Sequence, residues 1–252
     1  MMNYLYELDA YCTSIIARMS NGTLILARNL DFYFPDETRK TLYIGKFYRG
    51  DNYIFEATMF AGVTGVYTGM RPKAFALSIN ERTKKETTFN FFDNLAMLFS
   101  GHMQVGMLSR KALTECNNYE CAVQLISSEK NTLIAGGYFI ISGLSGNDGV
   151  IITRDRTSVL DVTSLNSSKT FIVQTNQDHY KGDCPIRCEK ANERMNTLAS
   201  NISSDLVLAQ VLTQWPNLNL FSIYATVYLP QTGYSFTEHI YATDQTDPGD
   251  II

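Results

Sequence analysis

Cys12 opens the run Cys12-Thr13-Ser14-Ile15-Ile16-Ala17-Arg18, and a polar Ser20-Asn21-Gly22 turn follows it. The chain then returns through Ala27-Arg28-Asn29-Leu30-Asp31-Phe32. Paired as a hairpin, the two runs collect a sulfur, a guanidinium and a carboxylate near one edge of a sheet. A thiol, a fixed cation and a fixed anion are what cysteine acyl transfer requires. Amide hydrolysis is therefore the first chemistry these residues suggest. The three histidines, His102, His179 and His239, lie far apart in the sequence.

The elements that must hold these groups read as strands, helices, strands, helix, strands. After the first hairpin, 41–48 and 53–59 are strand-like and are separated by the turn Gly50-Asp51-Asn52. A further strand covers 75–79. From Phe89 the period changes: Phe92, Leu95, Ala96 and Phe99 fall on one helical face, and Val105, Leu108 and Ala112 repeat the spacing. Another helix spans 119–127. Strand character returns at 138–141, 150–153 and 171–174, with Gly146-Asn147-Asp148-Gly149 turning between the first two. A helix covers 189–199. The next starts at Ser204 or Asp205, either able to cap it, with a face of Leu208, Val211, Leu212 and Trp215 and an end at Pro216. Strands at 222–229 and 234–241 close the chain, and 244–252 reads as a tail. Two antiparallel sheets with helices outside is the economical packing for this order, an α+β fold.

The chain has 252 residues, 45% hydrophobic and 18% charged, enough for a sizeable core in one domain. A net charge of −4 without any Lys/Arg run argues against nucleic acid as a partner; Arg39-Lys40 and Lys84-Lys85 are only pairs. No apolar stretch is long enough to span a bilayer, and the first eleven residues carry Glu7 and Asp9 and lack a signal-peptide pattern.

The Cys12–Asp31 segment resembles the start of the mature catalytic subunit in the family of acid ceramidase and N-acylethanolamine acid amidase. These are N-terminal-nucleophile cysteine hydrolases of the choloylglycine-hydrolase group. Further ordered blocks carry the likeness: Phe60-Ala61-Gly62 with Thr68-Gly69, Leu77-Ser78-Ile79-Asn80-Glu81-Arg82, Tyr138-Phe139-Ile140, Val150 to Arg156, and Val173-Gln174-Thr175-Asn176. Asn201-Ile202-Ser203 and Tyr224-Ala225-Thr226 complete them. The resemblance implies a four-layer αββα sandwich of two antiparallel sheets flanked by helices, which agrees with the pattern above.

The resemblance implies roles. Cys12 is the nucleophile, exposed when the Tyr11–Cys12 bond breaks autocatalytically, so that 1–11 is a precursor tail and 12–252 the catalytic domain. Its own α-amine, with a reference pKa of about 8, then serves as base. Arg28 and Asp31 match the family's R-N-L-D motif: Arg28 favours the thiolate, and Asp31 holds the α-amine. Asn176 matches the asparagine of a T-N-Y-D segment, here Thr175-Asn176-Gln177-Asp178, and supplies an oxyanion donor. Arg187 is a supporting arginine whose alignment needs a short deletion. Glu81 lies near the substrate's polar head or else pairs with Arg82, and Tyr67 marks a substrate-facing position at which the relatives differ. No metal or cofactor is implied.

The resemblance also sets partners. The substrate is the N-acyl amide of a lipid, with peripheral contact to membrane lipid. Asn80-Glu81-Arg82 and Ile152 to Arg156 lean toward ceramide, and N-acylethanolamines are the close second. A bile-salt or penicillin-type acylase shares the nucleophile and R-N-L-D but not the later blocks. A fragment that never matures is the non-enzymatic alternative, because relatives carry an α-subunit before the cysteine and Tyr6-Glu7-Leu8 resembles only its end. A lysosomal or secreted home follows by the same resemblance. With Cys12 set aside, Cys116 with Cys121 and Cys184 with Cys188 form two close pairs. Their bridging stays open, since helical neighbours are constrained. Asn21, Asn166 and Asn201 begin glycosylation sequons.

Overall fold

The computed structural model describes residues 10–82 and 96–242. The expected tail at 244–252, Tyr6-Glu7-Leu8, Lys84-Lys85 and the helical positions Phe92 and Leu95 lie outside them. The first hairpin forms as expected. Strand β1 (Tyr11–Arg18) pairs antiparallel with β2 (Leu24–Asp31), placing Cys12 opposite Leu30 and Ser14 opposite Arg28.

Strands β3 (Leu42–Arg49) and β4 (Asn52–Phe60) form a second hairpin, closed by Gly50 at positive φ and Asp51. β5 (Thr68–Arg71), β6 (Phe75–Glu81), β7 (Gly137–Ser142), β8 (Gly149–Arg154) and β9 (Val159–Ser164) continue that sheet in sequence order, seven strands in all. The second sheet has five strands, β10-β1-β2-β11-β12, with β10 (Phe171–Gln174), β11 (Ser222–Leu229) and β12 (Tyr234–His239). β5 and β9 escape the sequence pattern. One is four residues long, and the other alternates half-buried with exposed positions at the sheet margin.

Alternation along β1 and β2 builds two cores from one hairpin. Ile16, Leu24 and Leu26 face Ala76, Tyr138, Ile140 and Ile151 of the other sheet. Ile15, Ala17, Ile25 and Ala27 face the other way, onto Ala191, Met195, Val211 and Leu212. After the short α1 (Pro35–Arg39), helices α2 (Val105–Glu115) and α3 (Tyr119–Ser127) cover the seven-stranded sheet. α4 (Ile186–Leu198) and α5 (Ser204–Val207) cover the five-stranded one. The order helix, sheet, sheet, helix is the four-layer sandwich the sequence suggested.

The helices correct several details. Of the face Phe92, Leu95, Ala96 and Phe99, the two described members are exposed, Phe99 at 83%. The cap of α5 is Ser203, whose hydroxyl accepts from Leu206 N, and not Ser204 or Asp205. Beyond α5 the chain widens into a π turn over Leu208–Leu212. Val211 and Leu212 are buried as that face requires, but the helix is capped at Thr213, so Trp215 lies beyond it at 38% exposed and Pro216 does not mark its end. Both cysteine pairs are bridged, Cys116–Cys121 and Cys184–Cys188, with Cα separations of 5.3 and 5.2 Å. Helical constraint does not prevent this, because Cys116 caps α2 in extended backbone and Cys184 precedes α4.

Candidate active site

Cys12 is fully buried, and its thiol lies on the face of β1 that looks toward the other sheet. Arg28, two residues away diagonally across the β1–β2 ladder, shares that face. Its Nη2 donates to Cys12 Sγ at 2.9 Å and to the Ile79 carbonyl at 2.6 Å. Its Nη1 donates to the Tyr67 carbonyl at 2.5 Å and to Thr68 Oγ1. A guanidinium with three oxygens around it is held in one orientation, with one edge turned to sulfur. That arrangement stabilises negative charge on the sulfur. The pair sits on the two central strands of its sheet, not at a sheet edge, because β10 and β11 flank the hairpin.

Period two sends Asp31 to the opposite face, among the helices. Its carboxylate accepts from Ser222 Oγ at 2.7 Å and Asn219 Nδ2 at 2.8 Å, and Arg187 Nη1 stands 3.7 Å away. Burial pushes the Asp31 carboxyl up from its ordinary value, and Arg187, Ser222, Asn219 and Arg28 pull against it. Burial likewise lowers Arg187, countered by Asp31.

Asn176 joins these groups to the nucleophile. Its Oδ1 accepts from Cys12 N at 2.8 Å and from Arg187 Nη2 at 2.9 Å. Its Nδ2 donates to the carbonyls of Ala10 and Glu81, at 2.8 and 2.9 Å. Arg187, carried by α4, also donates to the Cys12 carbonyl at 3.0 Å. Arg187 is therefore in the site beside Cys12 and Asn176. In this uncleaved chain the Cys12 nitrogen is bound by Asn176, while Asp31 acts on Arg187.

Glu81 faces the same peptide: its Oε2 accepts from Ala10 N at 2.9 Å. Glu81 and Asn176 thus hold the amide and the carbonyl of the residue just before Tyr11. Tyr67 contributes its backbone to Arg28, while its ring is 2% exposed and packs where Gly106 leaves no room for a Cβ. The histidines stand apart. His179 contacts Thr163, His102 lines a surface pocket and His239 ends β12.

Several contributors escape the sequence reading. Asn219 and Ser222 sit in a stretch read only as a helix end and a strand start. Asn217 donates to Thr13 Oγ1 and to the Arg187 carbonyl, both at 3.1 Å. Asn80 donates to the Gln174 carbonyl at 2.8 Å, and its Oδ1 accepts from Ser14 Oγ, also at 2.8 Å. The alternating Asn217-Leu218-Asn219 was the available signal, but asparagines after a helix ordinarily mean a turn.

Facing antiparallel sheets between helix layers, with a thiol at the start of the central hairpin, define an N-terminal-nucleophile type of fold. The chain belongs to the choloylglycine hydrolase family of linear amide C–N hydrolases, whose profile matches residues 12–199. It is similar to the N-acylethanolamine-hydrolyzing acid amidase of Rattus norvegicus, at 36% identity over 232 residues, covering 90% of this chain and 62% of the relative. Similarity to acid ceramidase of Homo sapiens is 32% over 264 residues, covering 98% of this chain and 65% of that protein. The chain therefore spans less than two thirds of either relative's length. The structure of a Caenorhabditis elegans N-acylethanolamine-hydrolyzing acid amidase ortholog superposes with a TM-score of 0.81 at 28% identity, over 91% of this chain and all of the other. A conjugated bile acid hydrolase from Clostridium perfringens shares the fold at a TM-score of 0.50 and 10% identity, over 92% of this chain and 90% of its own. Among the described residues no helix is long and apolar enough to cross a membrane, and no acidic, histidine or cysteine cluster could hold a metal.

Proposed function

We propose that this chain hydrolyses the N-acyl amide of a lipid, with Cys12 as nucleophile after cleavage of its own Tyr11–Cys12 bond. The observation that carries the reading is the 2.9 Å contact from Arg28 to Cys12 Sγ, beside a Cys12 nitrogen already held by Asn176. Maturation begins when Sγ attacks the Tyr11 carbonyl carbon. The Tyr11–Cys12 C–N bond then breaks, leaving a thioester on sulfur and a free amine on Cys12. Water hydrolyses the thioester, releasing residues 1–11 with a new carboxylate on Tyr11 and regenerating the thiol. Loss of Ala10 frees Asn176 Nδ2 and the Glu81 carboxylate from that peptide.

In turnover the Cys12 amine takes the thiol proton, and sulfur attacks the substrate carbonyl. Asn176 Nδ2 stabilises the oxyanion, and the amine product departs with the proton from the α-ammonium. Water completes hydrolysis of the acyl-thioester. Asp31 acts through Arg187 and, once the amine exists, on the α-ammonium. Glu81 meets the polar head, and Tyr67 shapes the wall behind Arg28.

Between head groups we place N-acylethanolamines before ceramide. The residues that lean toward ceramide have other work: Asn80 binds backbone carbonyls, and Arg82 is tied to Asp178. The buried Arg154 donates to the carbonyls of Ile126 and Asn131, and Arg156 to that of Ile134. The 36% and 32% identities to the two kinds of relative favour the same order. A lysosomal or secreted home and contact with membrane lipid belong to this reading. Mass spectrometry at acid pH tests it: residues 1–11 are expected to leave the wild type and stay on Cys12→Ala. Fatty-acid release from N-palmitoylethanolamine should exceed that from ceramide. An intact chain inactive on both would overturn the assignment.

A further inference from the structure

We propose that the Arg82–Asp178 pair, braced by Tyr138, is a positioning device that fixes Asn176 and Glu81 against Cys12. The inference rests on the active-site reading above but concerns residues that reading gives no role. Arg82 directly follows Glu81 at the end of β6, in the seven-stranded sheet. Asp178 lies two residues after Asn176, just past β10 in the five-stranded sheet. The pair therefore closes a loop across the gap between the sheets, and each partner is a neighbour of one site residue.

The geometry is that of a rigid fork. Arg82 Nε donates to Asp178 Oδ1 and Nη2 to Oδ2, both at 2.6 Å, and the two side chains are only 6% and 15% exposed. Tyr138 of β7 donates its hydroxyl to Asp178 Oδ1 at 2.8 Å, and Lys181 lies 3.0 Å from Oδ2. Asp178 thus takes donors from β7 and from the residue that follows β6, both on the side of the opposite sheet, as well as from its own loop. The same seam carries the bond from Asn176 Nδ2 to the Glu81 carbonyl and that from Asn80 Nδ2 to the Gln174 carbonyl. Asn176 touches Cys12 N directly, so a shift of the Asp178 loop moves the asparagine relative to the nucleophile. Misplacement by about 1 Å costs on the order of 100-fold in rate.

The groups facing Asp178 are Arg82 just past β6, Tyr138 from β7, and His179 and Lys181 from its own turn. Removing Arg82 leaves the carboxylate with weaker partners, so the acid limb of kcat is expected to move to higher pH. The test uses the full chain with Arg82→Gln, Asp178→Asn and Arg82→Lys, measuring self-cleavage, kcat, KM and Tm. Both charge-removing variants should lose on the order of 10- to 100-fold in kcat with KM held. Arg82→Lys, a cation without the fork, should recover only part. Unchanged kcat, or a loss that merely tracks the unfolded fraction, overturns the proposal. A crystal structure of Arg82→Gln reads placement without activity: Asn176 should leave hydrogen-bond distance of Cys12 N. An unmoved Asn176 sinks this inference alone, whereas a wild type that neither cleaves itself nor hydrolyses an amide sinks the functional reading instead.

Discussion

The thiol and its guanidinium were legible because both sit in one hairpin, where register alone decides proximity. Arg28 is fully buried and serves sulfur and backbone carbonyls together. Arg28→Gln should therefore abolish Tyr11–Cys12 cleavage on the timescale of the wild type, as read by mass spectrometry. It should also lower Tm, since the Tyr67 and Ile79 carbonyls lose charged donors. Arg28→Lys should fold better yet stay slow, because a point cation cannot serve all four partners. Asn219 and Ser222 were not legible: 188 and 191 residues separate them from Asp31, and nothing local marks a hydroxyl or amide as the partner of a distant carboxylate. Ser222→Ala leaves Asp31 short of one hydrogen bond and should cost about 1–3 kcal/mol by denaturant unfolding, with self-cleavage slowed.

At the level of elements, helices with a strong period were readable, and α3 matches its expected bounds at both ends. The failures came where backbone hydrogen bonding overrides side-chain pattern. The helix closes in a π turn at Leu208–Leu212 and is capped at Thr213, short of Trp215 and Pro216, and strands as short as β5 exist only because longer neighbours pair with them. The link from β6 to the loop after β10 belongs to this scale and carries a pH signature. Burial alone would raise Asp178, but hydrogen bonds from Arg82, Tyr138 and Lys181 outweigh it and hold the carboxyl well below its ordinary value. A depressed carboxylate contributes stability that is full above its unfolded pKa, about 4, and is lost progressively as pH falls from there through the lower folded value. The Asp178 contribution should thus persist through mildly acid solution in the wild type. In Arg82→Gln the folded value rises toward the unfolded one, so the contribution at neutral pH is smaller and acidification from pH 7 to 3 should cost that variant less stability than it costs the wild type. Thermal melts of both proteins from pH 7 to 3 check this, and parallel curves would refute it.

Across the whole molecule, the order of strands and helices was enough to infer a layered sandwich. The division into seven and five was not, because β10 reaches β1 only after more than 150 residues and no local signal announces that partner. The sheets meet tightly at Gly149, where an added Cβ would stand 2.6 Å from Leu165 Cδ1 and 2.9 Å from Ile16 Cγ2. Gly149→Ala should cost about 1–3 kcal/mol, because Ile16 is β-branched and pinned in the ladder. Equal stability of mutant and wild type would show that the layers separate more freely than this contact implies. Chain termini ordinarily fray. A terminus created at residue 12 would instead begin mid-sheet, with β2 along one side, β10 starting two residues later on the other, and Arg187 on its first carbonyl. Such an end is born immobile, and the entropy of aiming its sulfur is met once, during folding, instead of at every turnover.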